Sequence, residues 1–147
     1  MIALIQRVTR AQVDVAGECI GRIDAGLLAL IGVRPTDDVR SAARLLERLL
    51  TYRVFADAAE RMNRSLTDIS GGLLLVPQFT LAADTRSGTR PDFGTAASPE
   101  LAQPLFEELV AAARKAHPSV AAGRFGAAMQ VALVNDGPVT FWLETVS

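Results

Sequence analysis

The sequence predicts a single α+β domain, built of mostly antiparallel β-sheets in a barrel-like arrangement with two long α-helices. Three observations carry this. Short apolar runs bounded by Gly, Pro, Asp and Asn recur along the chain at strand length. Only two stretches show helical spacing of apolar residues. No linker, internal repeat or low-complexity segment divides the 147 residues, a length that suits one core.

Taken in order, Ile2 to Val8 reads as a buried strand. Ala11 to Ala16 contains Val13-Asp14-Val15, a half-exposed strand, and Gly17-Glu18 turns it into Cys19 to Ile23. Asp24-Ala25-Gly26 leads into Leu27 to Val33, which has the unbroken apolar character of a fully buried strand. Pro35-Thr36-Asp37-Asp38 opens the first helix. Val39, Ala42, Ala43, Leu46, Leu49 and Leu50 share its apolar face. Tyr52 to Ala56 reads as a short strand, and Arg61 to Arg64 as a polar connection. Gly71-Gly72 precedes the apolar run Leu73 to Val76. A polar loop, Thr85 to Gly94, follows Asp84. Ser98-Pro99-Glu100 starts the second helix, with Ser as N-cap, Pro at the first position and an acid in the first turn. That helix must end before Pro118. Gln130 to Val134 and Val139 to Leu143 form the last strand pair, with Gly137-Pro138 between them. Two readings of that dipeptide stand side by side. One is a tight turn between strands. The other is a rigid surface that turns backbone carbonyls outward without side chains.

Half of the residues are hydrophobic and the mean hydropathy is +0.25, yet no apolar run reaches the length of a membrane span. A subunit interface accounts for the surplus. The N-terminus lacks the pattern of a secretory signal, and a lone Cys19 cannot close an internal disulfide, so a cytoplasmic protein is expected. A net charge of −1 argues against broad nucleic-acid binding but not against recognition of one RNA end. Lys115 is the sole lysine, so the cations are almost all Arg, which makes bidentate phosphate contacts.

Catalytic groups are scarce. His117 sits between a helix end and Pro118, where it reads as a C-terminal charge or a surface residue. Cys19 reads as core packing, and Asp37-Asp38 as a helix start. No Cys/His cluster has metal-ligand spacing, so no metal is expected. An enzyme built on this chain must therefore use backbone amides, an amide side chain and a hydroxyl to stabilise an oxyanion. Gln78, Phe79 and Thr80 supply such a set. The alternative for that segment is a strand running on past a proline kink.

Pro77-Gln78-Phe79-Thr80-Leu81 and Asn135-Asp136-Gly137-Pro138-Val139-Thr140 together resemble the two signature motifs of the D-aminoacyl-tRNA deacylases. The flanks Ile5 to Val8, Gly72 to Asp84, Arg90 to Phe93, Gly123 to Gly126 and Met129 to Leu143 are similar too, in the same order. The resemblance implies a homodimer whose site is shared between subunits. The Gly137-Pro138 bond would be cis and reach into the partner's pocket. Its carbonyls would hold the amino group of the esterified amino acid and leave no room for an L side chain. Arg7 would hold the Gly-Pro orientation, and Gln78, Phe79 and Thr80 would bind the ester carbonyl. Thr80 lacks a neighbouring base, and an unactivated hydroxyl is a poor nucleophile. The 2′-hydroxyl of the terminal adenosine is the better participant. The family's first motif usually opens with Ser, whereas this chain has Pro77. Related deacylases that remove L-alanine from a threonine tRNA carry Pro there, but Phe79 and Arg7 place this chain with the D-specific group. The implied function is hydrolysis of D-aminoacyl-tRNA and Gly-tRNA without cofactor, with no membrane or DNA partner. Arg86 and Arg90 are expected to bind the acceptor end of the tRNA. The alternatives are a relaxed deacylase acting on L-Ala-tRNA and a non-catalytic nucleic-acid-binding dimer.

Overall fold

The sheet is organised by its first strand. The computed structural model describes residues 1–145. In it β1 (Ile2–Val15) pairs along one edge with β3 (Gly26–Gly32) through Ile2 to Val8 and with β2 (Glu18–Ile23) through Ala11 to Val15. Its other edge is taken by β8 (Gln130–Glu144). All three pairings are antiparallel. The sheet then continues by two parallel pairs, β3 with β6 (Gly72–Pro77) and β6 with β7 (Val120–Ala122). The α+β class stands, with antiparallel pairing concentrated on β1. The path nearly closes into a barrel. A Cβ built on Gly21 of β2 would lie 3.0 Å from the Ala122 carbonyl oxygen of β7.

The unbroken apolar runs are explained by burial on both faces. Leu27, Ala29, Ile31, Leu73 and Leu75 point into a core covered by the helices α1 (Val39–Thr51) and α3 (Pro99–Ala116). Leu28, Leu74 and Val76 point the other way, into the barrel with Val8, Val13 and Ile23. Where β3 and β6 start, the backbones of Gly26 and Gly72 are so close that a Cβ on Gly26 would overlap the Gly72 carbonyl.

Several expectations are corrected. The buried face of α1 is Ser41, Ala42, Leu45, Leu46, Leu49 and Leu50, while Val39 and Ala43 point to solvent. Asp38 caps that helix through a reciprocal box with Ser41. Asp37 instead is buried and takes the Met1 ammonium at 2.6 Å. The strand expected from Tyr52 shrinks to β4 (Phe55–Ala56), because Tyr52 still caps α1. Its partner is β5 (Met62–Arg64), inside the expected polar connection. A single-turn helix, α2 (Leu66–Ile69), follows, with Ser65 and Asp68 as its capping box. His117 is not a surface residue. It is 5% exposed, and its Nε2 meets the Gly71 carbonyl. Cys19 is exposed rather than packed.

The last strand pair is one strand. β1 offers a partner along the whole of β8, so the chain has no reason to reverse. Its surplus is extruded instead: between Gln6↔Thr140 and Val8↔Asn135, β1 advances two residues while β8 advances five. The extruded stretch carries Gly137-Pro138.

Gly26→Ala should cost about 3 kcal/mol, because the overlap is with backbone and cannot be relieved by a rotamer change. The measurement is the urea midpoint, which falls without a change in slope if the native fold survives.

Candidate active site

Proline ends the β3–β6 ladder at Ile31↔Pro77, and the Gln78 N–H then bonds the Ile31 carbonyl at 2.7 Å. The chain tightens at once into a 3₁₀ turn, Phe79–Ala82. So the strand does not run on past the kink. The first bond of that turn is from Leu81 N–H to the Gln78 carbonyl. The N–H groups of Phe79 and Thr80 precede it and are available to an external acceptor. The Gln78 side-chain amide donates to the Thr80 hydroxyl at 2.5 Å. Phe79 is 54% exposed and packs on Phe93, with ring centroids 5.2 Å apart.

These residues open onto a cleft of about 650 Å³. Val76, Pro77, Gln78 and Phe79 form one wall, and Phe93 with the chain entering α3 (Ala96 to Pro99) forms a second. Phe125, Gly126 and Met129 form a third. Gly123 lets that wall close: a Cβ there would sit 2.8 Å from Met129 Sδ and 3.3 Å from Pro77 Cδ. Among the described residues, no lining side chain titrates. Ser98 stands at the N-cap of α3 but makes no side-chain capping bond. No group of residues that could hold a metal ion is present among the described residues.

The second motif lies elsewhere on the same chain. The Gly137-Pro138 bond is cis, as the resemblance implies, and Gly137 has φ +138°. Arg7 donates from Nε to the Asp136 carbonyl at 3.0 Å and from Nη1 to the Val54 carbonyl at 2.8 Å. Asn135 closes the base of the bulge, accepting from Val139 N–H and donating to the Thr140 hydroxyl. Arg7, Gly137 and Pro138 thus form one unit, and Gln78, Phe79 and Thr80 another. Within one chain, neither Gly137, Pro138 nor Arg7 lines the cleft.

Arg86 and Arg90 stand in the 85–91 loop, which an antiparallel bridge between Asp84 and Asp92 closes at its base. Arg86 is committed to Asp84, with Nε–Oδ1 at 3.0 Å and Nη2–Oδ2 at 2.8 Å. Arg90 is exposed. Phe93, Phe125 and Met129 had no assigned site role in the sequence, and Ser98 was assigned only as a helix N-cap. The available signal was two aromatics in Gly-containing segments, Arg90 to Gly94 and Gly123 to Gly126.

The described residues thus form a helix-covered, nearly closed barrel with an apolar cleft beside the 3₁₀ turn Phe79–Ala82. The family model described as D-Tyr-tRNA(Tyr) deacylase matches residues 4–144, and the chain belongs to that family. The D-aminoacyl-tRNA deacylase of Azotobacter vinelandii is 67% identical over 144 residues, covering 98% of this chain and 99% of the relative. That of Pseudomonas aeruginosa is 62% identical over 145 residues, covering 99% of this chain and all of the relative. Among solved structures, a c-Myc DNA unwinding element binding protein superposes with TM-score 0.95 at 37% identity over the full length of both chains. A probable eukaryotic D-amino acid tRNA deacylase shares the fold with TM-score 0.87 at 14% identity, covering 98% of each chain.

The Arg86 guanidinium, then its backbone N–H, lowers the Asp84 carboxyl from the ordinary 3.8 to about 2. A depressed carboxylate holds its pair fully above the unfolded value and loses it as pH falls through the folded one. Carboxyl-carbon NMR should therefore show Asp84 titrating near 2, and Arg86→Ala should return it toward 3.8.

Proposed function

We propose that this enzyme hydrolyses the ester between a D-amino acid, or glycine, and the 3′ end of tRNA in the cytoplasm, freeing the tRNA for reuse. The observation that carries the reading is the cleft itself. At its edge the 3₁₀ turn begins with the N–H groups of Phe79 and Thr80, and no side chain that lines it can take a proton. The ester carbonyl oxygen sits on those donors, which stabilise the charge that develops as water adds. Among the described residues, the Thr80 hydroxyl pairs with the Gln78 amide rather than with an imidazole or carboxylate. The proton of the attacking water is therefore managed by the substrate's own 2′-hydroxyl. The carbonyl carbon–oxygen bond to the ribose breaks, leaving a free amino acid and a 3′-hydroxyl.

Selection of hand is assigned to Gly137 and Pro138 of a second copy. One chain separates the two motifs, so the complete site needs a partner. Support for a homodimer comes from β8, which has a neighbour on one edge only and exposes Val134, Phe141 and Trp142. The Gly137 and Pro138 carbonyls, on a bulge that Arg7 braces through the Asp136 carbonyl, would bind the substrate amino group and block an L side chain by position. Phe79 and Arg7 keep the chain on the D-specific side. The L-alanine alternative rests on Pro77 alone. In the 85–91 loop, Arg86 and Arg90 are assigned to tRNA phosphates, with Arg86 shared between Asp84 and the RNA.

The test is a panel of D-Tyr-, L-Tyr-, Gly- and L-Ala-tRNA, followed for ester loss. Hydrolysis of the D-Tyr and Gly esters alone is the expected result. Loss of L-Ala ester at a comparable rate would favour the relaxed deacylase, and binding without ester loss would favour a nucleic-acid-binding role.

Thr80→Ala should stay within about tenfold of wild type, the worth of one hydrogen bond. A D-Tyr-tRNA ending in 2′-deoxyadenosine should react at least ~100-fold more slowly, the scale of a lost proton-transfer group. A trapped aminoacyl-Thr80 adduct would reverse that assignment.

Sedimentation should give a dimer whose activity falls on dilution. Arg86→Ala/Arg90→Ala should raise KM for D-Tyr-tRNA and flatten its salt dependence, by up to about one unit of slope per lost contact.

A further inference from the structure

Past Phe125 the cleft continues into a second depression, of about 420 Å³, between α3 and the chain leaving β7. Phe125 lines both. One side of the depression is a single face of α3, with Gln103, Glu107 and Arg114 at helical spacing. The other side carries Arg124. Arg114 and Arg124 are exposed, and among the described residues neither has a carboxylate within ion-pair distance. Three arginines elsewhere are paired: Arg7 lies 3.6 Å from Asp136, Arg34 lies 2.7 Å from Glu144 and Arg86 lies 2.8 Å from Asp84. Glu107 is the one acid in the groove, and it accepts from the Gln103 amide at 3.0 Å.

An RNA strand whose last nucleotide occupies the cleft must run on beyond its edge. In the 85–91 loop, Asp84 offsets most of the field of Arg86, while Arg90 stands exposed. On the α3 side two further guanidinium groups are not neutralised, on a chain whose net charge is −1. Phosphate is the anion whose geometry suits guanidinium forks. We infer that the groove between Arg114 and Arg124 carries the sugar-phosphate backbone of the tRNA acceptor strand just before its terminal nucleotide. Glu107 repels that backbone from one end of the groove and so biases it toward the two arginines. This inference rests on the deacylase reading for what fills the cleft, but the groove itself is assigned on charge and continuity.

The experiment compares wild type with Arg114→Ala/Arg124→Ala in three measurements. These are binding of uncharged tRNA against salt, deacylation of D-Tyr-tRNA, and deacylation of the D-Tyr ester of adenosine alone. The variant should lose about two units of salt slope, because each phosphate contact contributes about one. Its KM for D-Tyr-tRNA should rise about tenfold with kcat unchanged, while the adenosine ester is hydrolysed as by wild type. The Arg114→Lys/Arg124→Lys variant should restore the slope, and Glu107→Gln should tighten tRNA binding. An unchanged salt slope and KM would overturn the groove, as would equal losses on tRNA and on the adenosine ester. Should wild type hydrolyse neither ester, the deacylase reading falls. A salt slope that still drops in the alanine variant would then uphold the groove on its own.

Discussion

The structure hangs on a mismatch in length between β1 and β8. The two strands run together from Ile2↔Glu144 to Asp14↔Gln130, and a ladder so long locks its register at both ends. Whatever β8 carries in excess must leave the sheet in the middle. The excess falls at Asp136 to Val139, and what leaves is a glycine and a proline, the pair with the least side chain to bury and the fewest backbone donors to satisfy. Arg7 lies on β1 opposite the break, so the strand that forces the bulge out also supplies the side chain that fixes it. The Gly137-Pro138 bulge is thus a by-product of strand pairing, braced by the same strand.

The other half of the site follows from a different constraint. β3 and β6 are buried on both faces, which leaves their ends as the places where polar backbone can meet solvent. The ladder ends with the Gln78 N–H on the Ile31 carbonyl, and the chain coils into a 3₁₀ turn whose first two N–H groups precede its first internal bond. The donors are held by the rigid middle of the fold rather than by a loop. Donors fixed in advance cost no reorganisation when charge develops on the substrate. This is how a cleft with no ionisable lining can still be catalytic.

How much of this was legible in the sequence varies with the physics involved. The strands β3 and β6 and the two long helices follow from apolar runs, spacing and caps, which are local signals, whereas β1 (Ile2–Val15) reads as two strands, Ile2 to Val8 and Ala11 to Ala16, because only its partners show that it is continuous. The face of α1 was misread by one step because Leu45 and Val39 differ in burial through tertiary contact, not through spacing. β4 and β5 are too short to leave a periodic trace. The Gly137-Pro138 dipeptide looks like a turn because its own residues favour one, and only the partner strand shows that the chain runs straight through. Gln78 to Thr80 were legible as a polar segment after the buried strand. Their cleft was not, since Phe93, Phe125 and Met129 come from distant segments that the fold alone brings together. His117 and Cys19 were misplaced for a related reason: burial of an isolated residue depends on what packs over it.

The cleft lining carries one carboxamide, the Ser98 hydroxyl and the Met129 thioether, but among the described residues no imidazole, carboxylate or amine that would activate a nucleophile. Reagents that label hydrolases by acylating or phosphonylating an activated serine, or by alkylating a catalytic thiol, would find nothing to react with there. The one thiol of the chain, Cys19, is exposed on β2, away from the cleft lining. A covalent probe would therefore mark the molecule without touching its chemistry. Such a protein is invisible to activity-based labelling, and an inhibitor of it has to be a shape and hydrogen-bond mimic of the substrate's end.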